Sequence, residues 1–132
     1  MAEPYYLTTA IHYPNGKPHI GHAYETIAAD VIARFQRLQG REVRFQTGTD
    51  EHGDKIARAA ADEGSPPREF ADRVSDIFKS TWDKCSISYD HFVRTTDSYH
   101  VDFVREVLTR VNDAGDIYFG SYGGNYCTGC AR

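Results

Sequence analysis

The chain is 132 residues long, carries a formal charge of −4 and is 40% hydrophobic; that length fits one domain able to bury a core, and the acidic balance leaves only a local basic patch as a route to nucleic acid. No charged-then-apolar leader and no apolar run long enough to cross a bilayer is present, so no membrane partner is expected and the protein is expected to be soluble and cytoplasmic. Its three cysteines, two of them in one C-x-x-C, argue against a secreted disulfide framework.

In chain order, Tyr5-Tyr6-Leu7-Thr8-Thr9-Ala10-Ile11 is rich in aromatic and β-branched residues and reads as a short buried strand. Apolar residues then recur at Ile27, Val31, Phe35 and Leu38, a helical stripe that Gly40 stops. Between strand and helix lies Tyr13-Pro14-Asn15-Gly16-Lys17-Pro18-His19-Ile20-Gly21-His22, a loop broken by prolines and a glycine. Such a loop delivers side chains to the carboxyl end of a strand and the amino end of a helix, where α/β folds bind ligands. His19 and His22, three positions apart across Gly21, can donate to phosphate oxygens, helped by free helix-start amides and the helix dipole. Gly21, lacking a Cβ, lets a flat base lie against the backbone. The pair reads as a nucleotide site, with surface caps as the plain alternative; a metal site is disfavoured, because no third ligand stands nearby.

Glu42-Val43-Arg44-Phe45-Gln46-Thr47 reads as a second strand that runs into Gly48-Thr49-Asp50-Glu51-His52-Gly53. Strand, long helix and strand make a βαβ unit with parallel strands, the opening of a doubly wound sheet in an α/β fold. Both polar loops then follow the carboxyl ends of parallel strands and share one sheet edge, so Asp50 approaches the ligand held by the histidines. Its carboxylate suits a substrate ammonium; Asp50 or Glu51 as an N-cap for the helix from Asp54 to Glu63 is the other reading.

Ser65 or Pro66 is placed to cap a further helix with apolar positions Phe70, Val74, Ile77, Phe78 and Trp82. Cys85 reads as a small buried hydrophobe. Ile87-Ser88-Tyr89-Asp90-His91-Phe92 is expected to form a third strand, and Thr95-Thr96-Asp97-Ser98 to cap a helix with stripe residues Val101, Val104, Leu108 and Val111, ended near Gly115. Ile117 to Tyr126 reads as a hairpin or two short strands with a Gly-Gly turn. Cys127-Thr128-Gly129-Cys130 is either the first half of a zinc knuckle or a pair of structural thiols. The abrupt ending after half a metal-site pattern reads as a truncation.

Thr8-Thr9-Ala10-Ile11-His12-Tyr13-Pro14-Asn15-Gly16-Lys17-Pro18-His19-Ile20-Gly21-His22-Ala23-Tyr24 resembles the first signature of class I aminoacyl-tRNA synthetases, specifically the methionyl branch. Thr47-Gly48-Thr49-Asp50-Glu51-His52-Gly53 is similar to a second block of that branch, and Ser88-Tyr89-Asp90, Arg94-Thr95-Thr96, Ala114-Gly115-Asp116-Ile117-Tyr118 and Tyr126-Cys127 with Cys130 add to the likeness. The resemblance implies a Rossmann-like catalytic fold, its first half at residues 1–116 and the start of an inserted connective domain at 117–132. It implies activation of L-methionine with ATP and Mg2+ to methionyl-adenylate, then transfer to the methionine tRNA, by a monomer or homodimer. By position, His19 and His22 would hold the triphosphate and stabilise charge on the α-phosphate, and Gly21 would underlie adenine. Asp50 would bind the methionine ammonium, and Ala10, Ile11 and Tyr13 would line the amino-acid pocket. Cys127 and Cys130 would be half of a Zn2+ site. His12 receives no role from the resemblance and His52 only a supporting one. The family's lysine-rich K-M-S-K-S loop is absent, so the chain alone is expected to have little activity. Another nucleotidyltransferase of the H-I-G-H type, or a truncated nucleotide- or tRNA-binding module, are the alternatives.

Overall fold

A computed structural model of the chain describes residues 3–121, 123–125 and 127. Among the described residues seven elements follow one another: β1 (Pro4–Thr8), α1 (Ile20–Leu38), β2 (Glu42–Thr49), α2 (Asp54–Asp62), α3 (Pro67–Lys84), β3 (His91–Arg94) and α4 (Ser98–Asp113). The three strands form a parallel sheet in the order β1-β2-β3. Leu7 stands opposite Phe45 and Gly48 opposite Val93. The chain divides into two compact units, Met1–Val101 and Asp102–Arg132.

In the first unit, one apolar cluster joins β2 (Val43, Phe45), α1 (Ala29, Ala33), α2 (Ile56, Ala60) and α3 (Phe70, Val74, Phe78, Trp82). Alternation along β2 sends Val43 and Phe45 to the same side, as the period of two requires. The expected stripe of α3 is the buried one, apart from Ile77, which is half-buried. Helix α1 exists as expected but faces the other way. Its buried residues are Thr26, Ala29, Asp30 and Ala33, while Ile27, Val31, Phe35 and Leu38 are exposed, Leu38 at 83%. Two alanines let the helix lie close to the strands. Asp30 is satisfied there by Ser88 N at 2.7 Å, Ser88 Oγ at 2.5 Å and Arg34 Nε at 2.6 Å.

Four local expectations change. Pairing with β2 begins at His91, not Ile87, because Ser88 gives its N–H and hydroxyl to Asp30 of α1. Cys85 is exposed at the C-cap of α3, where Trp82 has already filled the core. The cap of α3 is Pro66, one of the two residues expected there; it makes no side-chain hydrogen bond, and Ser65 donates to Ala60 O. Helix α4 forms over the expected span but none of its residues is buried. Its own Arg105–Asp102 and Arg110–Glu106 pairs brace it along the axis. Residues 117–121 and 123–125 form no strand, so the expected hairpin is not seen among the described residues; Tyr122 and Tyr126 lie outside them. No helix among the described residues is long and apolar enough to cross a membrane.

Candidate functional site

The loop between β1 and α1 does not leave the sheet directly. His12 donates its N–H to Gly48 O at 2.8 Å and its carbonyl accepts from Asp50 N at 2.8 Å, a parallel bridge to Thr49 that continues the β1–β2 pairing past the end of β1. This pairing brings Ala10, Ile11 and Tyr13 alongside the Asp50 loop. Ala10 is fixed by its N–H bond to Glu25 Oε1 at 2.9 Å, and Ile11 stays exposed. Tyr13 packs against the core cluster. A Cβ on Gly53, whose φ is +117°, would collide with the Tyr13 hydroxyl, so glycine there admits both the backbone angle and the ring.

His19 is the N-cap of α1, and the two histidines cap the helix reciprocally. Nδ1 of His19 accepts from Gly21 N at 3.1 Å, and Nδ1 of His22 accepts from His19 N at 3.3 Å. The imidazoles stack with centroids 3.7 Å apart. Two of the amides expected to be free at this helix start are therefore occupied. The imidazoles take them on their inner nitrogens, which leaves the neutral rings carrying their protons on Nε2, available to a ligand. Burial, reinforced by the neighbouring His19, pushes the pKa of His22 down, in keeping with an Nδ1 that must stay unprotonated to accept. Gly21 has a local reason to be glycine: a Cβ would sit 3.0 Å from His19 Cε1 and 3.1 Å from its Nδ1, crowding the folded-back ring.

His12 is the residue that sequence reasoning passed over. The residue is only 3% exposed, and its ring stacks on Phe78 at 5.3 Å and meets the His22 ring at 5.0 Å. Its Nε2 lies 3.3 Å from Thr26 Oγ1, which donates to His22 O at 2.9 Å. Burial, with His22 next to it, lowers its pKa to about 4. It therefore stays neutral and joins the backbone of Asp50 to the ring of His22. Its only sequence signal is a histidine set between an apolar strand and a tyrosine.

Asp50 does not cap α2. The N-cap is Gly53, with no side-chain cap bond. Glu51 does not cap it either, because its carboxylate is held by Arg94, Thr49 and Thr96. Among the described residues, no side chain pairs with the Asp50 carboxylate, which stands half-buried at the end of β2. His52 leans on Thr95 O at 3.3 Å. The assembly thus offers two Nε2 donors and one unpaired carboxylate on one sheet edge. That suits a ligand with an anionic part and an ammonium part. Cys127 is exposed in the second unit and Cys130 lies outside the described residues. Among the described residues no group of three or more His, Cys, Asp or Glu could hold a metal.

Residues 5–132 match the family model described as tRNA synthetases class I (M). The methionine--tRNA ligase of Caldanaerobacter subterraneus subsp. tengcongensis is 51% identical over 98% of the chain, which spans 20% of that relative. That of Deinococcus radiodurans is 55% identical over 97% of the chain and is spanned to 19%. A Mycobacterium tuberculosis methionyl-tRNA synthetase in complex with methionyl-adenylate superposes with a TM-score of 0.91 at 54% identity, over 94% of this chain and 24% of that one. An Agrobacterium radiobacter K84 LeuRS in a ternary complex with tRNA and LeuAMS shares the fold at a TM-score of 0.83 and 24% identity, over 89% of this chain and 15% of that one. The chain thus spans about one fifth of the length of the curated relatives it matches.

Proposed function

The chain belongs to the class I (M) tRNA synthetases, and we propose that it contributes the first half of the nucleotide-binding catalytic fold of a methionine--tRNA ligase. The observation that carries this reading is the reciprocally capped His19–His22 pair sharing a sheet edge with the unpaired Asp50 carboxylate. The reaction is activation of L-methionine by ATP: a carboxylate oxygen attacks the α-phosphorus, the bond to the bridging oxygen breaks, and pyrophosphate leaves. The acyl group of methionyl-adenylate then passes to the methionine tRNA.

In this reading the Nε2–H groups of His19 and His22 donate to the triphosphate as charge develops at the α-phosphate, a preorganised electrostatic contribution. The rings carry the amino end of α1 outward, because the amides they cap polarise them. Gly21 leaves room for adenine as well as for the His19 ring. Asp50 takes the methionine ammonium, and Ala10, Ile11 and Tyr13 line one side of the thioether pocket. Mg2+ accompanies ATP. Residues 1–116 form the first half of the catalytic fold and 117–132 begin the connective insertion of a cytoplasmic enzyme, monomeric or homodimeric. Two thiolates, Cys127 and Cys130, do not complete a tetrahedral set, so zinc binding requires two further ligands from elsewhere in a longer protein.

The test is methionine-dependent pyrophosphate exchange by the full-length protein carrying these residues. His19→Ala and His22→Ala are each expected to slow exchange ten- to a thousandfold, about 1.4 to 4 kcal/mol, with a smaller effect on methionine affinity. Near wild-type exchange in both variants would remove the assignment.

A further inference from the structure

The loop that presents Asp50 is held from behind by an ion pair whose carboxylate is buried and whose guanidinium is partly exposed. Glu51, the next residue, has a fully buried side chain. Arg94 at the end of β3 grips it with two parallel bonds, Nε to Oε1 at 2.6 Å and Nη2 to Oε2 at 2.8 Å. Thr49 donates to Oε1 at 2.7 Å and Thr96 to Oε2. Arg94 reaches on to Asp72 of α3 at 2.5 Å, Ser75 Oγ lies 3.1 Å from Thr49 Oγ1, and Thr95 Oγ1 binds the Glu51 amide at 2.8 Å. Close approach of the strands makes this possible: a Cβ on Gly48 would strike the carbonyl and Cγ1 of Val93. The Glu51 carboxylate is thus fully satisfied, while that of its neighbour Asp50 has no side-chain partner among the described residues.

We propose that Arg94 and Glu51 are a positioning pair for amino-acid recognition, fixing the Asp50 carboxylate where a substrate ammonium meets it. The proposal rests on the reading of Asp50 given above. A bidentate guanidinium–carboxylate pair is suited to this task because it fixes direction as well as distance. A largely buried pair of this kind yields little net stability over apolar residues of similar volume, and its attested use is to select one arrangement. Here that arrangement is the turn Thr49-Asp50-Glu51, tied in front to the His12 carbonyl and behind to β3 and α3.

Calorimetric titration of the full-length protein with L-methionine tests this, comparing wild type, Arg94→Lys, Asp50→Asn and the Arg94→Lys/Asp50→Asn double variant, with ATP titrated separately. Lysine keeps the charge and loses the fork. Arg94→Lys is expected to weaken methionine binding about five- to twentyfold while ATP affinity changes less than about twofold, corresponding to about 1 to 1.8 kcal/mol against less than about 0.4. In the Asp50→Asn background the same change is expected to add less than about twofold, because Arg94 acts through Asp50. Thr96→Val, which removes one hydrogen bond and spares the ion pair, gives a milder second probe, expected at about two- to threefold. Unchanged methionine affinity in both Arg94→Lys and Thr96→Val would overturn the proposal, as would equal losses for ATP or an undiminished Arg94 effect without Asp50. Full methionine affinity in Asp50→Asn alone would instead remove the Asp50 assignment, and this role for Arg94 with it.

Discussion

At the scale of single residues, the site is built from side chains that do two things at once. His19 and His22 close the start of α1 with one nitrogen and keep the other for a ligand. Gly21→Ala separates these duties. Alanine is favoured over glycine in a helix by about 0.8–1 kcal/mol, but its Cβ would press on the His19 ring. The variant is expected to match or exceed wild-type thermal stability while losing at least about tenfold in exchange rate, about 1.4 kcal/mol. A thermal melt paired with exchange kinetics checks both halves. Asp50→Asn makes the complementary separation. Asparagine caps helices as well as aspartate does, so a capping role would tolerate the change. Because Gly53 is the cap, the expected result is unaltered stability with methionine affinity lowered by about 2–5 kcal/mol, read by calorimetry.

At the scale of elements, α1 carries its apolar stripe on one face and its packing on another. Ala29 and Ala33 pack on the core; Ile27, Val31, Phe35 and Leu38 do not. Leu38→Ser is therefore expected to change unfolding free energy by less than about 0.5 kcal/mol. Phe78→Ala, on the buried face of α3 against Trp82 and His12, is expected to cost about 3–5 kcal/mol. Urea unfolding of the two variants gives the comparison directly; similar losses in both would show that the α1 stripe packs. Helix α4 makes the same point, since an expected apolar stripe is present with no residue buried.

At the scale of the whole molecule, several groups share one pH dependence. Burial holds His12 at about 4 and lowers His22. Burial alone would raise Asp30 and Glu51, but bonds from Ser88 and Arg34 to the one, and from Arg94, Thr96 and Thr49 to the other, outweigh it and keep both carboxyls low. Each group binds its proton more readily in the unfolded chain, so stability rises with pH wherever these groups titrate. The His12 contribution is fully present above about 6.5 and is lost as pH falls from there through about 4; the carboxylates extend the loss below that. A shift of this size corresponds to about 3 kcal/mol, a large share of an ordinary domain's stability of about 5–15 kcal/mol. Denaturant midpoints measured from pH 7 to pH 4 are expected to fall steadily, and His12→Phe is expected to flatten that slope. A wild-type midpoint constant across the range would contradict the buried neutral imidazole.

Much of this was legible from local chemistry. A strand, a proline-broken loop, a helix and a second strand can be read from residues 5–47, because strand and helix periods differ and proline and glycine mark the breaks. The parallel pairing of β1 with β2 follows from that order. The candidate residues at His19, Gly21, His22 and Asp50 come from motif spacing and loop position, whereas Ala10, Ile11 and Tyr13 come from the family resemblance alone. Other features depended on contacts distant in sequence. Which face of α1 is buried depends on Ser88, 58 residues from Asp30. That Glu51 is locked away while Asp50 is left unpaired depends on Arg94, 43 residues from Glu51. His12 became central only when the chain past β1 paired with Gly48 and Asp50. Periodicity and spacing record what each segment can bury or donate; the tertiary structure decides which partner each group meets, because only folding brings those partners within hydrogen-bond reach.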